Sequence, residues 1–338
     1  MNKKVLLTGI SGYIGNHCAV ELLKNGYSVR GSLRNISKSA KIINTIKKEV
    51  DPKNRLEFCE LNLLDDKGWD DAVKGCDFVM HVASPFINME PKDENEYIRP
   101  AVDGTMRALN AAKSAGIKRV VLTSSMVSML GSADKSIDVD VETWTNVKGK
   151  NVSAYAKSKT LAEQAAWDFI NAQRDDTKME LAVVNPGPVF GPSLSGDLTG
   201  TSMSMFSQMM KGKMPMVPQA SINMSDVRDI AKIHVLALEN TEASGKRFIV
   251  TTEKPYAFQD VAKILKSNGY NKVSTKLAPN FLLKIMGNIN REAKSMRSFI
   301  GKTYNGDVSS TMKTFDWKPI TFEKTVLDTA KSIESYLN

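Results

Sequence analysis

The stretch that most restricts the fold lies at the N-terminus. An apolar run, Val5-Leu6-Leu7-Thr8, leads into Gly9-Ile10-Ser11-Gly12-Tyr13-Ile14-Gly15 and then into a helical pattern. Three glycines, each three residues from the next, stand between strand and helix. The first permits a tight turn, the second lets backbone approach a pyrophosphate, and the third lets the helix pack close to the strand. Backbone N–H groups and the positive helix end then hold phosphates. Glycine clusters also mark ordinary turns. Here the flanking strand and helix make the loop a dinucleotide site, with Thr8, Gly9, Ser11, Gly12, Tyr13, Ile14 and Gly15 as cofactor contacts.

The second strand selects the dinucleotide. A site for NAD places Asp or Glu at the end of that strand to hold the ribose hydroxyls. From Leu22 through Lys48 the chain has neither, but it carries Lys24, Arg30, Arg34, Lys38, Lys41, Lys47 and Lys48. A 2′-phosphate suits such a region, so NADP (NADPH) is expected. Arg34 is the candidate for a bidentate contact, and Lys38 or Lys41 supplies a second charge. Lys47 and Lys48 read as a solvated helix face.

The first half of the chain alternates strand and helix patterns. Strands are predicted for Lys4 to Thr8, Ser28 to Ser32, Leu56 to Glu60, Phe78 to His81, Arg119 to Thr123 and Leu181 to Asn185. Helices are predicted for Gly15 to Asn25, Ser39 to Val50, Trp69 to Lys74, Val102 to Ala115 and Ala154 to Ala172. Such alternation gives βαβ units, and right-handed crossovers give an α/β, Rossmann-type doubly wound parallel sheet. After Pro186 the pattern changes, and residues 193–224 are rich in Gly, Ser, Pro and Met. Later segments mix a strand (Arg247 to Thr251) with helices (Phe258 to Asn268, Phe322 to Tyr336). The expected division is a dinucleotide-binding domain over 1–192, with 222–252 returning to it, and a smaller C-terminal substrate lobe over 193–338.

The strand Arg119-Val120-Val121-Leu122-Thr123 ends in Ser124-Ser125, and a later helix opens with Tyr155-Ala156-Lys157-Ser158-Lys159. Tyr155 and Lys159, four residues apart, share a helix face. A free phenol ionises near pH 10, and an adjacent ammonium favours the phenolate. Tyr155 can therefore give a proton to a developing alkoxide, and a serine hydroxyl can bond the same oxygen. Ser125 is the chosen serine and Ser124 the alternative. Y-x-x-x-K alone is common on helices; the glycine loop and the strand ending in Ser-Ser make it specific.

Composition removes other classes. No apolar run is long enough for a membrane helix, and the first residues are too short an apolar run for a signal peptide. Cys18, Cys59 and Cys76 form no disulfide framework, as in a reducing compartment, and the cytoplasm is the expected location. His17, His81 and His234 lack metal spacing, so no metal is expected. The net charge of +9 is scattered and accompanies no nucleic-acid-binding signature. His234 falls in an apolar helical pattern, Ala231 to Ala237, and reads as structural.

Taken together, these segments resemble the extended short-chain dehydrogenase/reductase superfamily, and within it dihydroflavonol reductases, cinnamoyl-CoA reductases and microbial aldehyde (methylglyoxal) reductases. The resemblance runs nearly the whole chain. It includes Thr8 to Gly15, Gly31-Ser32-Leu33-Arg34, His81-Val82-Ala83-Ser84-Pro85, Val121 to Ser125, Tyr155 to Lys159, Leu161 to Trp167, Asn185 to Pro192, Asp226-Val227-Arg228-Asp229 and Trp317-Lys318-Pro319. It implies Ser125, Tyr155 and Lys159 as the triad and Arg34 as the 2′-phosphate ligand, with Lys41 at a second phosphate-binding position. It also implies that Val82, Ala83, Ser84, Thr123, Ser124, Tyr155 and Lys159 line the cofactor, and that Pro186, Gly187 and Val189 pass the nicotinamide. Two departures stand out. Asn62-Leu63 replaces the usual Asp-Leu near the adenine, where Asn can still form hydrogen bonds. Ala101-Val102-Asp103-Gly104-Thr105 replaces the Asn-Val-x-Gly-Thr of many epimerases.

Substrate is expected over the nicotinamide. Its surroundings would be Ser84, Pro85, Phe86, Ser125, Met126, Val127, Tyr155, Pro188, Val189 and Phe190, with the methionines of 203–216 as cover. The function expected is reduction of a small aldehyde or ketone by a monomer or homodimer, without nucleic-acid or membrane partners. The alternatives are an NADP-dependent nucleotide-sugar epimerase/dehydratase, for which Arg228 and Arg247 are the candidate diphosphate cations, and a non-catalytic NADP sensor, which would not need an intact Ser-Tyr-Lys set.

Overall fold

The computed structural model describes residues 3–85, 91–131, 135–149, 152–174, 178–281, 283 and 299–337. Its first half runs β1 (Lys4–Thr8), α1 (Tyr13–Lys24), β2 (Ser28–Leu33), α2 (Ser39–Lys47), β3 (Leu56–Glu60), α3 (Trp69–Val73), β4 (Phe78–His81), α4 (Asn95–Ser114), β5 (Arg119–Thr123), β6 (Ile137–Val139), α5 (Ala154–Asn171) and β7 (Glu180–Pro186). Then come β8 (Val189–Phe190), α6 (Thr201–Met210), β9 (Ser221–Ile222), β10 (Ser225–Asp226), α7 (Val227–Glu239), β11 (Lys246–Val250), β12 (Tyr256–Ala257), α8 (Phe258–Ser267), β13 (Thr303–Gly306), α9 (Ser309–Phe315) and α10 (Phe322–Ile333).

Seven strands form one parallel sheet in the order β11-β7-β5-β4-β1-β2-β3. The order reverses between β1 and β4, which opens a crevice at their carboxyl ends. Side chains alternate across β1. Val5 and Leu7 enter a core with Cys18 and Leu22 of α1 and Ile233 of α7, while Leu6 enters the opposite core with Leu109 of α4 and Ala166 of α5. This two-residue period is what a sheet covered by helices on both faces demands. A third core holds Met126, Phe190, Phe206, Ile222, Tyr304 and Val326. Met126 and Phe190 follow β5 and β7, so this core lies at the carboxyl end of the sheet. A four-stranded sheet, β12-β9-β13-β6, and the pair β10-β8 complete that end.

Two features extend the sequence reading. Helix α4 starts at Asn95 rather than Val102 and runs through Pro100; buried Tyr97 and Ala101 hold its early turns against the core. Of the segment 222–252, α7 and β11 join the layers of the large sheet, whereas Ile222 pairs within the small one. The motifs at Asp226 to Asp229 and Trp317 to Pro319 meet. Trp317 Nε1 donates to Asp229 Oδ1 (3.0 Å) and Ile320 N to Asp229 Oδ2 (2.8 Å), tying the C-terminal segment to α7. No helix among the described residues is long and apolar enough to cross a membrane.

Candidate active site

The glycine loop is shaped by contact rather than by flexibility. Gly9 has φ +70°, and a Cβ there would lie 2.9 Å from the Cα of Ala83. A Cβ on Gly15 would lie 2.1 Å from the carbonyl oxygen of Gly9, so α1 can close onto β1 only with glycine. Thr8 braces the loop from below. Its buried hydroxyl accepts the N–H groups of Val82 (3.1 Å) and Ala83 (3.0 Å), which leaves its proton to donate to His81 Nδ1 (2.9 Å). Ser11 and Gly12 form the exposed tip. No side chain caps α1 at Gly12, so its first-turn N–H groups face outward for an anion. Tyr13 donates from its hydroxyl to the carbonyl of Gly191 (2.7 Å) and joins this loop to the strand-end segment that holds Pro188 and Val189. Ile14 packs against the core around α1.

Arg34, Lys38 and Lys41 stand exposed at and beyond the end of β2. Among the described residues none of them has an ion-pair partner, whereas Lys3, Lys4, Arg30, Arg107 and Arg119 do. Asn62 Oδ1 accepts Leu64 N (3.1 Å) in a local turn. Leu63 packs against α4, where a Cβ on Gly104 would meet its Cδ2 at 2.7 Å, which accounts for that glycine.

At the ends of β5 and β7 the two serines diverge. Ser124 donates to Glu163 Oε2 (2.5 Å) inside the protein. Ser125 accepts from Val127 N (3.3 Å), donates to the Pro186 carbonyl (3.3 Å) and is hydrogen-bonded to the Tyr155 hydroxyl. Burial pushes the Tyr155 phenol up to about 12; the Ser125 bond opposes the rise and Tyr97 adds to it. Tyr97 meets Tyr155 edge-on, ring centroids 6.3 Å apart. One turn along α5, Lys159 Nζ donates to the Thr123 carbonyl (3.2 Å). Burial lowers this ammonium to about 8, while Glu163 holds it up. The Thr123 hydroxyl turns the other way, to His234 Nε2 (2.6 Å). His234 Nδ1 faces the Ile230 carbonyl (2.8 Å), so His234 is a satisfied core histidine. A narrow crevice lined by Ala83, Ser84, Thr123, Ser124 and Lys159 separates β4 from α5.

Of the expected substrate walls, Ser84, Pro85, Val127, Pro188 and Val189 are half-buried around this point. Met126 and Phe190 instead are buried in the core; Phe190 packs on Phe206 (centroids 5.8 Å) and Met126 on Gly306. Phe86 lies outside the described residues. Met203, Met209 and Met210 belong to the third core, with Met205 and Met214 packed at its edge. Arg228 is bound to Asp226 and Asp328, and Arg247 is buried against Glu163, so both proposed diphosphate cations are already engaged. The sequence reading gave Glu163 and Tyr97 no role in the site and read Arg247 as a diphosphate cation rather than as the partner of Glu163. Glu163 could have been found, since it continues the four-residue spacing of Tyr155 and Lys159.

Residues 5–251 match the NAD dependent epimerase/dehydratase family. The chain belongs to this family. Members similar to it include a cinnamoyl-CoA reductase of Medicago truncatula, 36% identical over 78% of this chain and 79% of that protein. Another is the NADPH-dependent methylglyoxal reductase GRE2 of Saccharomyces cerevisiae, 33% identical over 78% of this chain and 82% of its own. Among solved structures, yeast methylglyoxal/isovaleraldehyde reductase Gre2 complexed with NADPH superposes with a TM-score of 0.78, at 27% identity and 98% coverage of both chains. The family fold is thus the extended short-chain dehydrogenase/reductase fold described above.

Proposed function

We propose that the protein is an NADPH-dependent reductase that converts an aldehyde or ketone to an alcohol. The observation that carries this reading is the convergence of Ser125, Tyr155 and Lys159 at the carboxyl end of the sheet, beside the glycine loop. The loop fits a dinucleotide because its close contacts leave no room for side chains. The exposed cations Arg34, Lys38 and Lys41, which have no ion-pair partner among the described residues, fit a 2′-phosphate. NADPH, when bound, supplies the hydride.

The chain's own residues supply the rest. The adjacent hydroxyls of Ser125 and Tyr155 would both turn to a carbonyl oxygen set beside them, Ser125 giving up its bond to the Pro186 carbonyl. With its phenol raised to about 12, Tyr155 retains its proton at neutral pH and donates it as negative charge develops on that oxygen. Lys159 steadies the phenolate left behind. Half-buried Pro85, Val127, Pro188 and Val189 supply apolar walls. The three free cysteines suit a reducing compartment, and we place the activity in the cytoplasm, in a monomer or homodimer. The engagement of Arg228 and Arg247 speaks against a nucleotide-sugar substrate.

The test follows absorbance of NADPH, with NADH in parallel, across a panel of aliphatic and aromatic aldehydes and ketones. Consumption of NADPH by the wild type and not by Tyr155→Phe is expected. No consumption with any carbonyl, alongside tight binding of a UDP- or GDP-sugar, would overturn the reading.

A further inference from the structure

We propose that the buried ion pair of Glu163 and Arg247 is the positioning device of this site: it fixes the turn that carries Ser125 and sets the charge behind Lys159, without touching substrate. The inference rests on the reductase reading and deepens it.

Glu163 lies on the same face of α5 as Tyr155 and Lys159, one turn beyond the lysine. Its side chain has no solvent exposure, so its charge must be met entirely by protein groups. Oε2 accepts Ser124 Oγ (2.5 Å), Ser128 Oγ (2.7 Å) and Asn185 Nδ2 (2.9 Å). Oε1 accepts Arg247 Nε (2.6 Å) and Trp167 Nε1 (3.4 Å). Ser124 and Ser128 flank Ser125, so one carboxylate holds both ends of the turn from which the Ser125 hydroxyl projects. Asn185 precedes Pro186, whose carbonyl receives that hydroxyl.

Arg247, on the edge strand β11, completes the assembly. Its Nη1 donates to the carbonyls of Val141 (2.7 Å) and Thr143 (2.9 Å), its Nη2 to Ser128 Oγ (3.2 Å), and its guanidinium lies 3.8 Å over the Trp144 ring. The pair therefore joins the ends of β5 and β7, the edge strand and the segment after β6 at one point. Apolar side chains of equal volume would stabilise the interior as well or better. What the ion pair adds is direction, and a negative charge near Lys159. Among the described residues, Glu163 on its own helix and His81 on β4 are the titratable groups that act on Lys159, with Arg247 behind Glu163; Tyr155 lies one turn earlier on α5, where Tyr97 of α4 meets it. His81 is held neutral, lowered to about 3 by burial and by Lys159 itself. The Glu163 carboxylate is then the group that favours the charged lysine.

The test uses Glu163→Gln, which keeps shape but removes charge, and Glu163→Gln/Arg247→Met, which removes both charges and avoids a stranded guanidinium. Readouts are thermal melting, NADPH binding by fluorescence, kcat and KM across pH, and the Lys159 titration by NMR in protein without cofactor. In the folded variants NADPH affinity is expected within about twofold of wild type, because no contact with the cofactor loop changes. A loss of kcat of about a hundredfold is expected, with little change in KM, since a small misplacement of reacting groups has that effect. In Glu163→Gln the alkaline limb of kcat and the Lys159 titration both move to lower pH; in the double variant they move less. Wild-type kcat and an unshifted titration in a folded variant would reduce the pair to a structural role. Should both variants fail to fold, Ser128→Ala carries the test: it removes one tether and leaves both charges, and unchanged kcat there overturns the proposal. A wild type inert toward every carbonyl, yet showing the Lys159 shift in Glu163→Gln, would defeat the reductase reading and leave the positioning role standing.

Discussion

At the scale of the residue, the site is a set of groups held away from their solution properties by burial. Lys159 titrates near 8 instead of 10.5. The charged form assists Tyr155, so kcat for reduction is expected to fall as pH rises through about 8, and a limb near 10 would show that burial does not act on this lysine. Tyr155→Phe removes the proton donor and should lower kcat by about 10² to 10⁴, with NADPH binding intact in a fluorescence titration. Loss of binding in that variant would mean that the phenol serves the cofactor instead. Arg34 is exposed and has no ion-pair partner among the described residues, which leaves its guanidinium for a phosphate. Arg34→Ala should weaken NADPH by about tenfold to a hundredfold, the worth of charge-assisted bonds, and leave NADH unchanged. Equal losses for both cofactors would refute its role.

At the scale of the element, two glycines separate packing from backbone conformation. Gly15→Ala would drive a methyl into the Gly9 carbonyl, backbone against backbone. Overpacking of this kind costs about 1–3 kcal/mol and should abolish NADPH binding by pushing α1 off β1. Gly26→Ala, at φ +86° with open space around it, should cost only the left-handed strain of about 1–2 kcal/mol and leave NADPH binding intact. Urea melts and titrations of the two variants compare these effects. The same physics explains which elements could be read from the chain. Strands β1 to β5 and β7 of the large sheet are short alternating or continuous apolar stretches bounded by glycine or polar turns and could be read, whereas β6, three residues long, was not. The start of α4 was hidden by Pro100, which reads as a stop but lies early enough for Tyr97 and Ala101 to hold the turns around it. Strands β8, β9, β10 and β12 are two residues long, too short for any period, and exist through partners such as Val189 opposite Ser225. The triad was legible because Tyr155 and Lys159 are local to one helix. The Glu163–Arg247 pair was not, since its partners are 84 positions apart and an internal arginine has no periodic signature.

At the scale of the whole molecule, three histidines couple the fold to pH. His17 donates from Nε2 to the Pro192 carbonyl, His81 accepts from Thr8, and His234 is bound between Ile230 and Thr123. Burial lowers His17 and His234 to about 4 and His81 to about 3. In the unfolded chain each titrates near 6.5, so below that pH the unfolded state takes up protons that the fold refuses, and stability is lost as pH falls from about 6.5 toward 4. Asp229 acts in the opposite sense. Burial raises it to about 6, and between about 6 and 3.8 the folded state binds a proton that the unfolded state does not. At pH 5 each histidine costs about 2 kcal/mol and Asp229 returns about 1 kcal/mol, a net loss on the order of 5 kcal/mol relative to pH 7. Set against a typical total of about 5–15 kcal/mol, the urea midpoint should fall steeply between pH 7 and 5. His17→Gln, which can still donate to Pro192, should recover about 2 kcal/mol of the loss at pH 5. A midpoint independent of pH across that window would show that the buried imidazoles accept protons without opening the fold. Because His81, which receives the Thr8 hydroxyl that braces the phosphate loop, is held down at about 3, the loop keeps this acceptor between pH 7 and 5, and NADPH affinity of the folded fraction should not change through His81 over that range.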